Sequence, residues 1–459
     1  MYLVAGVVVA VVMLSTNNGL VALADRGGDE KVVSADQRAQ VDVTALLTAA
    51  RGAPPIICAL AAQSLRNYGW GDWSDAPSTP LSFVALHREH DFGPEALPPA
   101  DVERLLEALA TDDPCVREIS VRLLGRQKGE NVVNGLMTRL TSSAPALREV
   151  AALGLGFMRS PRTIDPLIRA LRDAAPGVRA NSAWALGRLE SGKALAPIRD
   201  LFRDDVEKVR EAAVIASGRM DDSTSSIPAL IRVVRQDNSP QVRRAAAWAL
   251  GQLESHQAVD ALVGVLTQDS DARVREMAAW ALGQVESRTA TAGLATAARR
   301  DADDRVRETA TWALAQIEDR TTVDVLGNIA ASDKSSRVRG TAAWALGQMR
   351  GGKAPAGLLQ VLRDENDDAR LKAAWALGQI GDATAIPAIR TALQRETSSE
   401  VRRALIRALL RSGERSQATL TDLLNSGDPQ VREAAVRGLA GNNSFNPWPW
   451  PWPRPRPIP

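Results

Sequence analysis

Aromatic side chains are scarce in this sequence: 5 Phe and 2 Tyr in 459 residues, with aromatics at 4% overall. A thick globular centre, which takes much of its volume from such residues, is excluded, and a core of thin layers is left. Histidine is scarcer still, 3 in all, so a His-based triad is hard to assemble. The patterns HExxH, GxSxG and the P-loop are absent. No charge of one sign dominates: 56 basic residues face 54 acidic ones, net +2, without the basic excess of a nucleic-acid binder. The two cysteines, Cys58 and Cys115, form no CxxC, which excludes a zinc ribbon or a thioredoxin-like pair. They fit either one disulfide in an oxidising compartment or two buried thiols.

Hydrophobic residues at 45% and charged ones at 24% are the balance of a folded soluble chain. Against the few Phe and Tyr stand 11 Trp, and several recur inside one phrase. "VRRAAAWALGQLES" (242–255) returns as "VREMAAWALGQVES" (274–287), "VRETATWALAQIED" (306–319) and "VRGTAAWALGQMR" (338–350). A Val-Arg dipeptide or near relative falls at 116, 147, 178, 209, 242, 274, 306, 338, 369, 401 and 431, eleven units in steps of 30–33 residues. Self-similarity at this period overrides the length prior of about three domains and predicts one array of stacked units.

Each unit predicts two helices. The first often opens with proline (Pro166, Pro197, Pro228, Pro355, Pro387), tolerated in a first turn. A polar turn follows, and the second helix begins near the Val-Arg. On a wheel of 100° per residue, Ala245, Ala246, Ala249, Leu250 and Leu253 gather round Val242, with Arg243 on one flank and Trp248 on the other. Gly251, Gly283, Gly347 and Gly378 fall late in this helix, where glycine either admits a close neighbour or eases termination.

The paired helices, the Asp in the turn, the Val-Arg after it and the Ala-Leu-Gly finish resemble the HEAT-repeat family, in its short variety known from bilin lyases. The resemblance covers 101–440, with a worn copy at 42–66 read as a capping repeat. It implies an all-α, right-handed α-solenoid (superhelix) of about 11–12 two-helix HEAT-like repeats. It also implies a structural ladder in which the turn acids cap the second helix and pair with the arginines of the same or the next unit: Asp237, Arg243, Asp269, Arg275, Asp301, Arg307, Asp333 and Arg339. The physics agrees, since Asp suits helix starts and guanidinium suits carboxylate. Ser142 in unit two and the shifted Asp428 in unit eleven break the rule, so the ladder is expected to weaken at the ends.

The tryptophans stand six residues after the Val: Trp184, Trp248, Trp280, Trp312, Trp344 and Trp375. Two readings stay open. Each indole wedges against the neighbouring unit, or the row forms an aromatic track on the concave face for a partner. On the second, Trp280 and Trp312 are expected to be partly reachable by solvent. Gln252, Gln284, Gln316, Gln348 and Gln379 follow one turn later, and the Trp–Gln flank over units 242 to 379 is the candidate partner-binding surface. The carboxylates are expected to be taken up by the turns, and neither cofactor nor metal is implied.

Outside the array, residues 1–24 read as a signal peptide or membrane anchor: an apolar run over 2–14, too short for a membrane span of about 20 residues, then "ALA" before Asp25. A linker follows over 25–41. Residues 67–100 are an irregular Gly/Pro/aromatic insertion holding "HREHD" (87–91), whose His87, His90 and Asp91 either hold a metal or cap the first unit. The tail 441–459, "NPWPWPWPRPRPIP" at its end, is proline-extended and reads as a disordered segment, with a membrane surface as a further resting place for its Trp and Arg. The expectation is an exported, periplasmic or extracytoplasmic, non-enzymatic scaffold for a protein or peptide, without nucleic acid. The alternatives are the sensor part of a membrane peptidase-type receptor and a bilin-lyase-like enzyme subunit.

Overall fold

The computed structural model describes residues 42–56, 58, 97–127, 129–220, 224–350, 352–414, 416–427 and 429–439. Regular structure among the described residues is helical throughout. The contacts divide the chain into two units, residues 1–223 and 224–459. In the second, helix pairs run Ile227–Gln236 with Pro240–Gln252, Val259–Gln268 with Ala272–Val285, Thr291–Arg300 with Asp304–Ile317, and Val323–Ser332 with Ser336–Gln348. Ala356–Val361 with Asp367–Ile380, Ile386–Arg395 with Ser399–Arg411, and Gln417–Leu424 with Pro429–Leu439 complete it. The first unit pairs Pro99–Ala108 with Pro114–Gly125, Glu130–Leu140 with Pro145–Met158, Ile164–Ala170 with Pro176–Leu189, and Leu195–Asp200 with Glu207–Gly218. Each unit is thus an α-solenoid of two-helix repeats, and the Val, Ala and Leu of the second helices are its buried seam.

Seven of the first helices, those starting at Ile164, Leu195, Ile227, Val259, Thr291, Val323 and Ile386, are entered through short 3₁₀ turns, such as His256–Ala258 before Val259. Proline therefore sits in their first turn at Pro228 and Pro387, as expected, but Pro355 lies one residue outside its helix. Pro114, Pro145, Pro176 and Pro240 open second helices, where the missing N–H costs nothing. The second helices end on a left-handed residue twelve after the Val: Glu190, Glu254, Glu286 and Glu318 have φ of 45–53°, and Gly381 has 70°. The glycines three residues earlier lie inside the helix and do not terminate it. Their service is room for a neighbour.

The turn acids do not cap the second helices directly. Asp237, Asp269, Asp301 and Asp333 are the C-cap residues of the first helices. Each accepts the backbone N–H two residues on, as when Asp269 Oδ1 takes the N–H of Asp271 at 2.9 Å. The true N-caps are Ser239, Asp271, Asp303 and Asn366, whose side chains accept from the first turn. The carboxylates face backwards along the array. Arg243 donates through Nε and Nη2 to both oxygens of Asp269 at 2.7 and 2.9 Å, while its Nη1 reaches the Asp237 carbonyl at 2.8 Å. Arg275 binds Asp301, Arg307 binds Asp333, Arg339 binds Asp364 and Arg370 binds Glu396 in the same fork. In the first unit Arg148 binds Asp173 and Arg179 binds Asp204. The partner is always the acid of the next repeat. Where Ser142 replaces that acid, Arg117 keeps only the bond to its own turn, to Thr111 O at 2.9 Å.

At the N-terminal end, the helix Val43–Ala50 is tied to the array in two ways. Cys58 and Cys115 form a disulfide. Asp113, which caps Pro114–Gly125, also accepts the Gly52 N–H at 2.7 Å. Burial pushes the Asp113 carboxyl up, but the N–H groups of Gly52, Val116 and Cys115 outweigh it and hold it below its usual range.

The Arg148 guanidinium holds the Asp173 carboxyl low. For Asp204, Asp269, Asp301 and Glu396 burial acts upward, and the paired arginine with the turn N–H groups wins. Acids depressed on folding contribute stability that is present above their unfolded values, near pH 4, and is lost as pH falls through the folded ones. Resistance to chemical denaturation should therefore fall steadily below about pH 4. Asp301→Ala, which removes both the fork and the turn bond, should cost roughly 1.5–3 kcal/mol. Asp301→Asn, which keeps the turn acceptor, should cost less; equal losses in urea melts would contradict this division.

Candidate functional site

The tryptophan row is closed. Trp248, Trp280, Trp312 and Trp344 expose between 3% and 6% of their surface, and Trp184 is equally buried. The expectation that Trp280 and Trp312 meet solvent is thus overturned, and with it the aromatic track over these positions. The reason lies in the glycines. A Cβ built on Gly251 would meet Trp280 Cζ3 at 2.8 Å and Ala281 Cα at 2.9 Å, one on Gly283 would meet Trp312 Cζ3 at 2.6 Å, and one on Gly347 would meet Trp375 Cζ3 at 2.5 Å. Gly156 stands in the same relation to Trp184. In these four pairs the indole is seated on the glycine of the preceding repeat. Trp184 adds an edge-to-face contact with Phe157 at 5.3 Å. The indole N–H of Trp184 and that of Trp312 are buried without a hydrogen-bond partner, which marks these rings as fillers rather than donors.

Trp375 is the exception, half-buried at the end of the row. The next second helix, Ser399–Arg411, carries Arg407 at the tryptophan position, and Gly378 there faces Ala408.

The glutamines behave differently. Gln252 is exposed, and Gln284, Gln316, Gln348 and Gln379 are half-exposed. None of their carboxamides bonds to another described residue, so a column of free donors and acceptors runs past the second-helix ends of this unit. The two halves of the candidate Trp–Gln surface are therefore separated: glutamine outside, tryptophan within.

Sequence reasoning missed a set of carboxylates, having assigned them all to the turns. Glu149, Glu276 and Glu308 stand two residues after Leu147, Val274 and Val306 on second helices. Burial pushes all three up, against the pull of Arg117 on Glu149, of Arg305 on Glu276 and of Arg337 on Glu308. Glu308 accepts from Arg337 Nε at 2.5 Å. The signal was available: Glu recurs at one phase of the wheel, away from the turns. Among the described residues no group of three His, Cys, Asp or Glu side chains could hold a metal, and none of the helices is long and apolar enough to cross a membrane. His87, His90 and Asp91, residues 1–41 and the tail 441–459 lie outside the described residues.

Stacked helix pairs, an Arg–Asp fork between repeats and a buried Ala-Leu seam define a solenoid class. The chain belongs to the HEAT-repeat family, with HEAT repeats matched over 102–181, 164–239, 227–315, 291–356 and 355–440. Among solved structures it is similar to Kap95p in its complex with RanGDP, at 13% identity and a TM-score of 0.52, over 84% of this chain and 59% of that one. The Kap95:Nup1 complex gives the same identity and score over 75% and 58%. The chain thus spans less than two thirds of these neighbours, and the likeness is one of fold. The CpcE–CpcF complex of phycocyanin lyase from Nostoc sp. PCC7120 aligns at 23% identity over 56% of this chain and 98% of that one, but with a TM-score of 0.34. No curated protein matches the sequence.

Placing a branched side chain on the glycine seat tests the packing. Gly283→Val forces its side chain against Trp312 and should cost about 1–3 kcal/mol as overpacking. Ala315→Gly, at the one seat in this run that already carries a Cβ, should change thermal stability far less. A Gly283→Val protein as stable as the parent would mean that the repeats are not held at this contact.

Proposed function

We propose that this protein is a non-enzymatic scaffold that binds a protein or peptide partner along the second-helix side of its repeats, with the glutamine column as the contact. The observation that carries this reading is the set of five unpaired carboxamides, one per repeat, on a frame whose other polar groups are largely engaged. A carboxamide offers both donor and acceptor, the complement of a peptide backbone. Neighbouring helices pack about 8–10 Å apart, so glutamines in successive repeats would meet about every third residue of an extended chain rising about 3.4 Å per residue. The structural neighbours, Kap95 bound to RanGDP and to Nup1, fit such a use of the fold.

We also propose that the chain works in an exported, oxidising setting, as the apolar N-terminal run suggests. The Cys58–Cys115 disulfide supports this, because such bonds persist outside the reducing cytosol.

The test is co-purification from the native host with the tagged chain and a Gln284→Ala/Gln316→Ala/Gln348→Ala variant. One stoichiometric protein, retained by the parent and lost by the variant with helical content unchanged, is the expected result. A pigment or other small molecule in its place would favour the lyase-like reading. Retention that ignores the glutamines would remove them from the site.

A further inference from the structure

Arg407 is unlike the forked arginines that follow the seam valines. It occupies the indole position, is half-buried, and is one turn from Arg403 and from Arg411 on the same face of Ser399–Arg411. Its one described hydrogen bond runs from Nε to the Arg403 carbonyl at 3.3 Å, and among the described residues no carboxylate pairs with Arg403, Arg407 or Arg411. Burial and the like charge of Arg403 pull the guanidinium down from its ordinary value, with Glu400 opposing them. Guanidinium groups in such a setting are stabilised by an anion supplied from outside.

We propose that Arg403, Arg407 and Arg411 form a docking stripe for an extended acidic segment of a partner protein, with the half-open edge of Trp375 beside it. This rests on the scaffold reading and names the partner's chemistry. Residues four apart on a helix rise about 6 Å, close to the roughly 6.8 Å between same-face side chains of an extended strand. Carboxylates at alternate positions of such a strand match the three guanidiniums one for one. A nucleic-acid strand fits less well. Asp367 and Asp368 stand exposed on the neighbouring helix Asp367–Ile380, and a phosphate chain continuing across the array would meet them. The whole chain carries a net charge of only +2.

The experiment titrates the full chain into a fluorescein-labelled (Glu-Ser)5 peptide, a (Gly-Ser)5 control and a dT20 oligonucleotide, and reads anisotropy at two salt concentrations. The acidic peptide should bind in preference to both others and weaken as salt rises. Arg403→Gln/Arg407→Gln/Arg411→Gln should lose at least tenfold in affinity, while Arg273→Gln/Arg305→Gln, at exposed arginines of other repeats, should not. Arg407→Leu separates binding from folding: it should raise the melting temperature and still lower affinity several-fold. A lowered melting temperature there would show a structural arginine and overturn the proposal. So would tighter binding of dT20, equal losses in the two multiple variants, or no peptide binding. If a partner co-purifies through the glutamines yet (Glu-Ser)5 does not bind, this inference falls alone. If the stripe binds peptide and no partner is found, the scaffold reading falls alone.

Discussion

One side chain per repeat sets the spacing of this solenoid. The arginine after the seam valine bonds the carbonyl of its own turn, six residues back, and the carboxylate of the following turn, 25 or 26 residues ahead. That second carboxylate also closes its own turn. Each repeat's loop is thus shaped by a group whose orientation depends on the repeat before it. The offset behind the arginine is constant, and the one-residue difference ahead of it falls within the next first helix: Asp173 and Asp204 come nine residues after the starts at Ile164 and Leu195, whereas Asp269, Asp301 and Asp333 come ten after Val259, Thr291 and Val323. A half-buried fork with both carboxylate oxygens occupied is also geometrically demanding, so Lys would not substitute.

The ladder holds the turns, whereas the helices are held by size matching. A tryptophan on one repeat takes a small residue on the one before: Gly156 with Trp184, Gly251 with Trp280, Gly283 with Trp312 and Gly347 with Trp375, with Ala315 at the seat before Trp344. Where Ile215 replaces the indole, Gly187 still admits the following helix, with the Ala216 Cα at 2.8 Å from a built Cβ. Interchangeable Trp and Ile are what packing allows and what a recognition surface does not.

The repeat, the helix pairs and the Arg–Asp partners were legible because each follows from a spacing along the chain. Valine, arginine and aspartate keep their offsets in nearly every unit, and helical periodicity gives the faces. The fate of the tryptophans was not legible. A wheel places Trp248 on the flank of the apolar face, but whether that flank meets a neighbour or water depends on how close the next helix comes. Glycine three residues further on carries that information, and only when it is read across two repeats. The glutamates after the seam valines were missed for a related reason: their burial arises between repeats, and a one-helix wheel shows them as polar and outward.

What remains for binding follows from these constraints. Indoles locked between helices cannot also grip a ligand, and forked carboxylates cannot attract a cation without releasing the turn. The groups left with free valence are those that the repeat does not need for itself: carboxamides near the second-helix ends, and the guanidinium stripe where Arg407 has taken the place of an indole. A buried tryptophan would have stabilised that helix interface by apolar area alone. Its replacement by a charge with which no carboxylate among the described residues pairs is a local conflict with the fold, and such conflicts are where function is to be sought.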